Sequence, residues 1–413
     1  MVSNKLYMSM VVLHLSLCFY RGIIVDGRTS ISEMEDMELD RQLEILNKHP
    51  VKTIKTKEGE LFDCIDIYKQ PAFDHPLLKD HKIQMRPAIT PGSSLPSSST
   101  SSSNSSLVID PSANILTRFD CPEGTVPIRR TSKEDLLRAK YFAKSYQLTE
   151  HPDFPFADVP GQTVVMRRYH SAAIGHGIHS VINTANPKVG ENQYSSAQLW
   201  VSNGPPDDIN TIQAGWVEAP YLFGDSQTRF FGFFQAKNQS QTYGCYNTLC
   251  PGFVQVDSEY TLGTVIPLVS EIGGTQRVLQ LDIFRDSEKK WWLIAGSDKR
   301  HVGYWPEAIL PQMTEFPLFA AWGGLVRSDP NGPMTTPMGQ GELPNGDYNR
   351  QCSITQIQYI RDDYVYVDVG DYFAFTSRSN VKSDQCYGIE YNGYYNDEER
   401  ATIIFGGPGG PNC

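Results

Sequence analysis

From Gln162 to the C-terminus the chain is cut by Gly, Pro, Asn and Asp into short segments rich in β-branched and aromatic residues. Thr163 to Met166, Ser195 to Val201, Arg229 to Gln235, Val278 to Phe284, Trp291 to Ile294, Ile354 to Ile360 and Thr402 to Phe405 are of this kind. Such residues suit a pleated, half-buried surface, so each segment is predicted as a strand. The run DSEKK from Asp286 to Lys290 reads as a hairpin connection between two of them. No long amphipathic helix alternates with the strands, which leaves an antiparallel sandwich or barrel as the expected architecture.

The N-terminal third is different text. Ser30-x-x-Glu33 and Ser32-x-x-Glu35 offer capping boxes ahead of a helical spacing of Leu39, Leu43 and Leu46 that stops at Pro50. Val51 to Arg86 is extended and punctuated by proline. The run from Pro91 to Ser106 is almost wholly Ser, Pro and Thr, too polar to offset the entropy of ordering, and is predicted as a flexible linker. Order is expected to resume at CPEGTVPIRR from Cys121, followed by a helix opened by Thr131-x-x-Glu134 and carrying Leu136, Leu137, Tyr141 and Phe142.

Lys5, the apolar run from Leu6 to Tyr20 and the small residues around Gly27 have the proportions of a secretory signal peptide, with an uncleaved anchor as the alternative. No later stretch is apolar enough to span a bilayer, so no membrane association is expected once the signal is removed. An oxidising compartment then governs the cysteines. Cys18 leaves with the signal, and the seven that remain are an odd number, so one thiol is free or pairs between chains. Cys245 and Cys250 bracket only YNTL and read as a disulfide worth roughly 2 kcal/mol in the chain-entropy picture. Cys64 and Cys121 flank the Ser-rich run, which makes a bridge between them one inference from placement. Cys413 is most simply paired with Cys386, leaving Cys352 as the candidate odd thiol. Asn104 and Asn238 fit the glycosylation pattern.

A net charge of −11 and a pI near 5.3 exclude general affinity for nucleic acid, which needs a basic surface to displace counterions. His170, His176 and His179 lie close together, but no convincing further ligand accompanies them. They are read as structural or surface histidines, and no metal is expected. The terminal FGGPGG, Phe405 to Gly410, lacks the Gly-Lys-Ser/Thr ending of a phosphate cradle and reads as a turn, so no cofactor is expected. No Gly-x-Ser-x-Gly elbow is present, which argues against a serine hydrolase.

The stretch from Ile209 to Val256 carries a family resemblance. QAGWVEAPYLFGDSQTR and GCYNTLCPGF stand in it; DIYKQPAFDHPLL and CPEGTVPIRR precede it; Trp291-Trp292, GYWP from Gly303, WGG from Trp322, PMGQG and FGGPGG follow. Together these motifs resemble the neprosin family of plant secreted proteins, whose studied member is a glutamic peptidase cutting next to proline. The resemblance implies an N-terminal activation peptide followed by a curved antiparallel β-sandwich with a long substrate cleft, and an extracellular, apoplast or cell-wall location. The boundaries expected on this basis are 1–27 for the signal, 28–160 for a small α+β activation-peptide domain and 161–413 for the mainly β sandwich domain.

The family's chemistry rests on two glutamates facing each other across the cleft. Hydrolysis needs one group to take a proton from water and another to give one to the leaving amine, and two close carboxyls split their pKa values to do so. In the resemblance the first falls at Gln213. The second belongs to a Glu-Trp-Gly-Gly-Glu stretch, which here reads Ala321-Trp322-Gly323-Gly324-Leu325. A glutamine donates a hydrogen bond to an oxyanion but exchanges no proton. Glu218, Glu315 and Asp225 are the nearest stand-ins: Glu218 has the wrong strand parity, Pro317 separates Glu315 from Ala321, and Asp225 sits in a turn. The leading expectation is a secreted neprosin-like protein without the proteolytic dyad, binding proline-rich polypeptides through cleft residues such as Trp216 and Trp322. The alternatives are an active acid endopeptidase using Gln213 with another carboxylate, and a protein binding cell-wall polysaccharide through its aromatic side chains.

Overall fold

The structure is a computed structural model and describes residues 32–92, 115–145, 162–169, 174–205, 208–238, 241–329, 331–370, 375–379, 381 and 383–413. The expected signal peptide, the Ser-rich run beyond residue 92, Asn104 and His170 lie outside the described residues. Asn238 ends a strand.

Helix α1 spans Glu33–Leu46, and the Glu35 N–H donates to Ser32 Oγ at 3.2 Å, as the second predicted box requires; Ser30 of the first lies outside the described residues. Strands β1 (Lys52–Lys55), β2 (Leu61–Asp66) and β3 (Thr125–Arg129) form a small antiparallel sheet in that order. Helix α2 spans Lys133–Ser145, but its cap is one residue later than the sequence suggested. Asp135 N–H donates to Ser132 Oγ (3.1 Å) and Ser132 N–H to Asp135 Oδ2 (2.8 Å). Thr131 is held elsewhere: its N–H donates to Asn47 Oδ1 at 2.9 Å and its carbonyl accepts from Asn47 Nδ2 at 2.8 Å.

Two large antiparallel sheets follow. Strands β4 (Gln162–Tyr169), β6 (Tyr194–Asn203), β7 (Asn210–Glu218), β8 (Arg229–Asn238), β9 (Gln241–Tyr246), β14 (Phe319–Arg327) and β17 (Phe375–Ser379) form a seven-stranded sheet in the order β17-β4-β14-β6-β7-β8-β9. The second sheet runs β10 (Val254–Gln255), β13 (Arg300–Trp305), β12 (Trp291–Ala295), β11 (Val278–Arg285), β5 (Gly177–Asn183), β15 (Cys352–Ile360), β19 (Ala401–Gly406) and β18 (Gly388–Tyr394), with β16 (Tyr366–Asp368) on β15. Every predicted strand segment falls inside one of these strands. Residues 286–290 do join β11 to β12, with Asp286 Oδ1 accepting from the N–H groups of Glu288 and Lys290 at 3.0 Å each.

One face of each sheet meets the other, as the alternation of strand side chains requires. Ile212, Ala214 and Trp216 of β7 pack in one apolar core with Ile178 and Ile182 of β5 and Leu279, Leu281 and Ile283 of β11. Trp216 Nε1 donates across the layers to the Asn183 carbonyl at 2.8 Å. Ile65, Val126 and Ile128 of the small sheet belong to this same core, and residues 43–413 form a single compact unit. The fold is thus mainly β, an antiparallel sandwich preceded by a small α+β part. Disulfides join Cys64 to Cys121, Cys245 to Cys250 and Cys386 to Cys413. Cys352 is free and fully buried, burial pushes its thiol pKa far up, and pairing with another chain is closed to it in the folded molecule.

Candidate active site

Strand alternation sends Gln213, Gly215 and Val217 of β7 to the outer face of the seven-stranded sheet, away from the inter-sheet core. The register then decides what stands beside Gln213. Ala321 pairs with Trp200, Trp200 with Gln213, Gln213 with Phe233, and Phe233 with Tyr246. Arg168 extends this row beyond Ala321. Gln213 and Ala321 therefore share one row, two strand spacings or about 10 Å apart along the backbone. Leu325 points to the same face but aligns with Ser196 and Val217, four residues further along β14. Of the two positions left open by the sequence, Ala321 is the one facing Gln213.

Gln213 is 2% exposed and sits in an oriented polar chain. Ser196 Oγ donates to Gln198 Oε1 at 2.9 Å, and Gln198 Nε2 donates to Gln213 Oε1 at 2.7 Å. Because the hydroxyl occupies the Gln198 carbonyl, the Gln198 amide turns its N–H toward Gln213. Among the described residues Gln213 Nε2 is left with no acceptor, so the side chain offers the site a donor. Around it Trp200, Phe231, Phe233, Tyr246, Phe319, Ala321 and Leu325 form an apolar cluster with Phe142 of α2, and the Arg168 guanidinium lies over the Phe319 ring at 4.9 Å. The Phe142 ring meets Tyr246 edge-on at 5.3 Å, which places the helix over the β9 corner of the face.

Among the described strand residues no carboxylate stands on this face. Glu218 is the sole acidic residue in the seven strands as described, and it points the other way. Its side chain is fully buried opposite Ser195, and neither carboxyl oxygen makes a hydrogen bond of normal geometry. Burial raises its pKa from 4.5 to about 7, with the Val189 N–H opposing the rise and nearby Asp225 adding to it. Glu315 is exposed and lies ahead of the start of β14. Asp225 is occupied as a turn cap, accepting the Gln227 N–H at 3.1 Å, and as the partner of Arg229.

Trp216 and Trp322 correct an expectation. Both are fully buried in the core between the sheets, because each lies an odd number of residues from the outward positions Gln213 and Ala321 on its own strand. They hold the sheets together and are absent from the outer face that carries Gln213 and Ala321. His176 and His179 likewise serve the scaffold. His179 is buried with its Nδ1 2.9 Å from Asp282 Oδ1, which also accepts from the Tyr366 hydroxyl at 2.8 Å. Burial alone would raise the Asp282 pKa, but the charge and hydrogen bond of His179 hold it below the usual carboxylate range. His176 stacks on Tyr364 at 4.0 Å. The residue that sequence reasoning missed is Gln198. Its signal was its parity with Ser196 and Trp200 in a strand otherwise read only for apolar content.

Comparison with known proteins matches two successive parts of the chain. The family model described as Neprosin matches residues 191–408, and that described as Neprosin activation peptide matches residues 53–176. Two solved structures of scytalido-glutamic peptidase, one with a peptide-based transition state analog and one with a transition state analog inhibitor, align at 8% identity. They cover 60% of this chain and 98% and 97% of their own, with TM-scores of 0.31 and 0.30.

Proposed function

Because the chain belongs to the neprosin family, we propose that it is a secreted, catalytically impaired homologue of the glutamic peptidases that holds proline-rich polypeptides against the outer face of its seven-stranded sheet. The observation that carries this reading is the row of Gln213 and Ala321. Neither residue, nor any other strand residue described on that face, bears a carboxyl group. Peptide hydrolysis needs a proton acceptor and a proton donor, and removing either costs about 10² to 10⁴ in rate. What remains is a hydrogen-bond donor at Gln213 amid aromatic rings, equipment for holding a chain and stacking on proline rather than for cutting it. The signal-like start and the three disulfides support secretion.

The test pairs two measurements on the purified protein. A fluorogenic library with proline at every position is offered at acidic pH, and binding of the same peptides is followed by fluorescence anisotropy. The expected result is saturable binding with cleavage no faster than in buffer. Turnover by the natural protein, abolished by Gln213→Ala, would show a working active site and end the impaired-enzyme reading. Absence of any peptide binding would end the other half.

A further inference from the structure

The name activation peptide describes a segment that leaves, and the contacts of that segment in this molecule describe one that stays. We propose that residues 43–145 are a permanent, non-covalently held part of the folded protein, so that cutting the chain between residues 145 and 162 leaves the two pieces bound to each other.

Among the described residues the contacts run from Glu60 to Pro127. Gln70 and Gln255 form a reciprocal pair, the Gln255 N–H donating to Gln70 Oε1 at 2.8 Å and Gln70 Nε2 to the Gln255 carbonyl at 3.0 Å, with both residues at most 1% exposed. The Gln255 side chain donates to the Pro127 carbonyl of β3 at 2.8 Å. Fully buried Arg229 places Nη1 at 2.9 and 3.0 Å from the two oxygens of Glu60, which also accepts from Arg129 Nε at 2.7 Å. Asp286, the cap of the β11–β12 hairpin, turns Oδ2 toward Gln84 Nε2 (2.8 Å) and the Ala88 N–H (3.1 Å). The Tyr304 hydroxyl accepts the Gln84 N–H at 3.1 Å and lies 2.8 Å from His81 Nε2. Further on, Phe119 N–H donates to the Glu259 carbonyl at 2.9 Å and Thr117 Oγ1 to the Val265 carbonyl at 3.0 Å.

Between these polar clasps the segment contributes Ile65, Ile67, Leu78, Ile115, Leu116 and Val126 to the same core that joins the two large sheets. On separation, water would replace the hydrogen bonds but would face the apolar side chains of both pieces, and that exposure opposes dissociation. The clasps then fix where the segment lies, since buried paired charges set register and disfavour other arrangements. No disulfide crosses the division: Cys64–Cys121 closes within the segment, and Cys245–Cys250 and Cys386–Cys413 close within the sandwich. Retention therefore rests on packing and hydrogen bonds alone, and it holds whether or not the outer face binds a polypeptide.

The experiment inserts a specific-protease recognition sequence after Pro155 in the full chain, cuts the folded protein to completion, and applies it at nanomolar concentration to a size-exclusion column. Mass spectrometry then identifies what each peak contains. The expected result is a single peak holding both pieces, with the circular dichroism of the uncut protein. A second chain carrying Glu60→Gln and Gln84→Ala, cut in the same way, is expected to separate about 10- to 100-fold faster. Loss of the N-terminal piece from the sandwich of the unsubstituted cut protein, whether the sandwich stays soluble or aggregates, overturns the proposal.

Discussion

The two faces of strand β7 make opposite use of polar side chains five residues apart. On the outer face Gln213 is nearly buried, yet its amide is oriented by Gln198 and Ser196 and ends in an unused donor. On the inner face Glu218 is a carboxyl without a well-formed hydrogen bond and with a pKa near 7. The chain thus has a carboxyl with the pKa of a general acid, placed on the face turned away from the Gln213 row. At the place where such a group would work, the chain carries an amide. A perturbed pKa marks burial, and burial by itself is not a site.

The sharpest way to break this comparison is to restore the missing groups. Gln213→Glu combined with Ala321→Glu is expected to cleave proline-containing peptides about 10² to 10⁴ times faster than the natural protein, measured as initial rate at acidic pH. Gln213→Glu with Leu325→Glu is expected to stay silent, since Leu325 lies outside the Gln213 row. A reversal of these two results would mean that the row is not the active arrangement.

Trp216→Ala removes the inner-face anchor and is expected to lower stability by about 3–5 kcal/mol in urea unfolding. Gln213→Leu, on the outer face of the same strand, removes one hydrogen bond and is expected to cost about 1 kcal/mol. Equal losses would erase the distinction between a face that holds the sheets and a face that does not.

Glu218 supplies a pH test. Its folded pKa lies above its unfolded value, so the folded state binds the proton more tightly. The stability this gives is fully present below pH 4.5, is lost between 4.5 and about 7, and is flat above that. The span corresponds to about 3 kcal/mol. Glu218→Gln is therefore expected to melt higher than the natural protein at pH 8 and to match it at pH 4. A uniform shift across that range would show that the carboxyl is hydrated or paired. In the loop that follows the β8–β9 pair, replacing Cys245 and Cys250 together by Ser is expected to cost about 2 kcal/mol in urea unfolding.

Much of the site was legible because it depends on local rules. A period of two, applied to the spacing alone, places Glu218 on the face opposite Gln213, and Pro317 does hold Glu315 out of β14. The same rule puts Trp216 and Trp322 on the inner faces of their strands, opposite to Gln213 and Ala321, and there both are buried. The Ser132 cap was hidden because Thr131 and Ser132 both offered an acidic residue three positions on. Only Asn47, distant in sequence, decides between them by occupying Thr131.

The strand segments, their antiparallel class, the Cys245–Cys250 pair and the absence of glutamate at positions 213, 321 and 325 can all be read from the amino-acid order. They follow from side-chain shape, spacing and residue identity, which are properties of short stretches. The folded arrangement alone settles that Ala321 rather than Leu325 shares the Gln213 row, that Gln198 aims the Gln213 amide, and that Ile65, Leu78, Ile115 and Val126 share the sandwich core. Each of these depends on the register and packing of segments far apart in the chain. Alternation along a single strand says that its faces differ, but only the neighbouring strands say which face meets which.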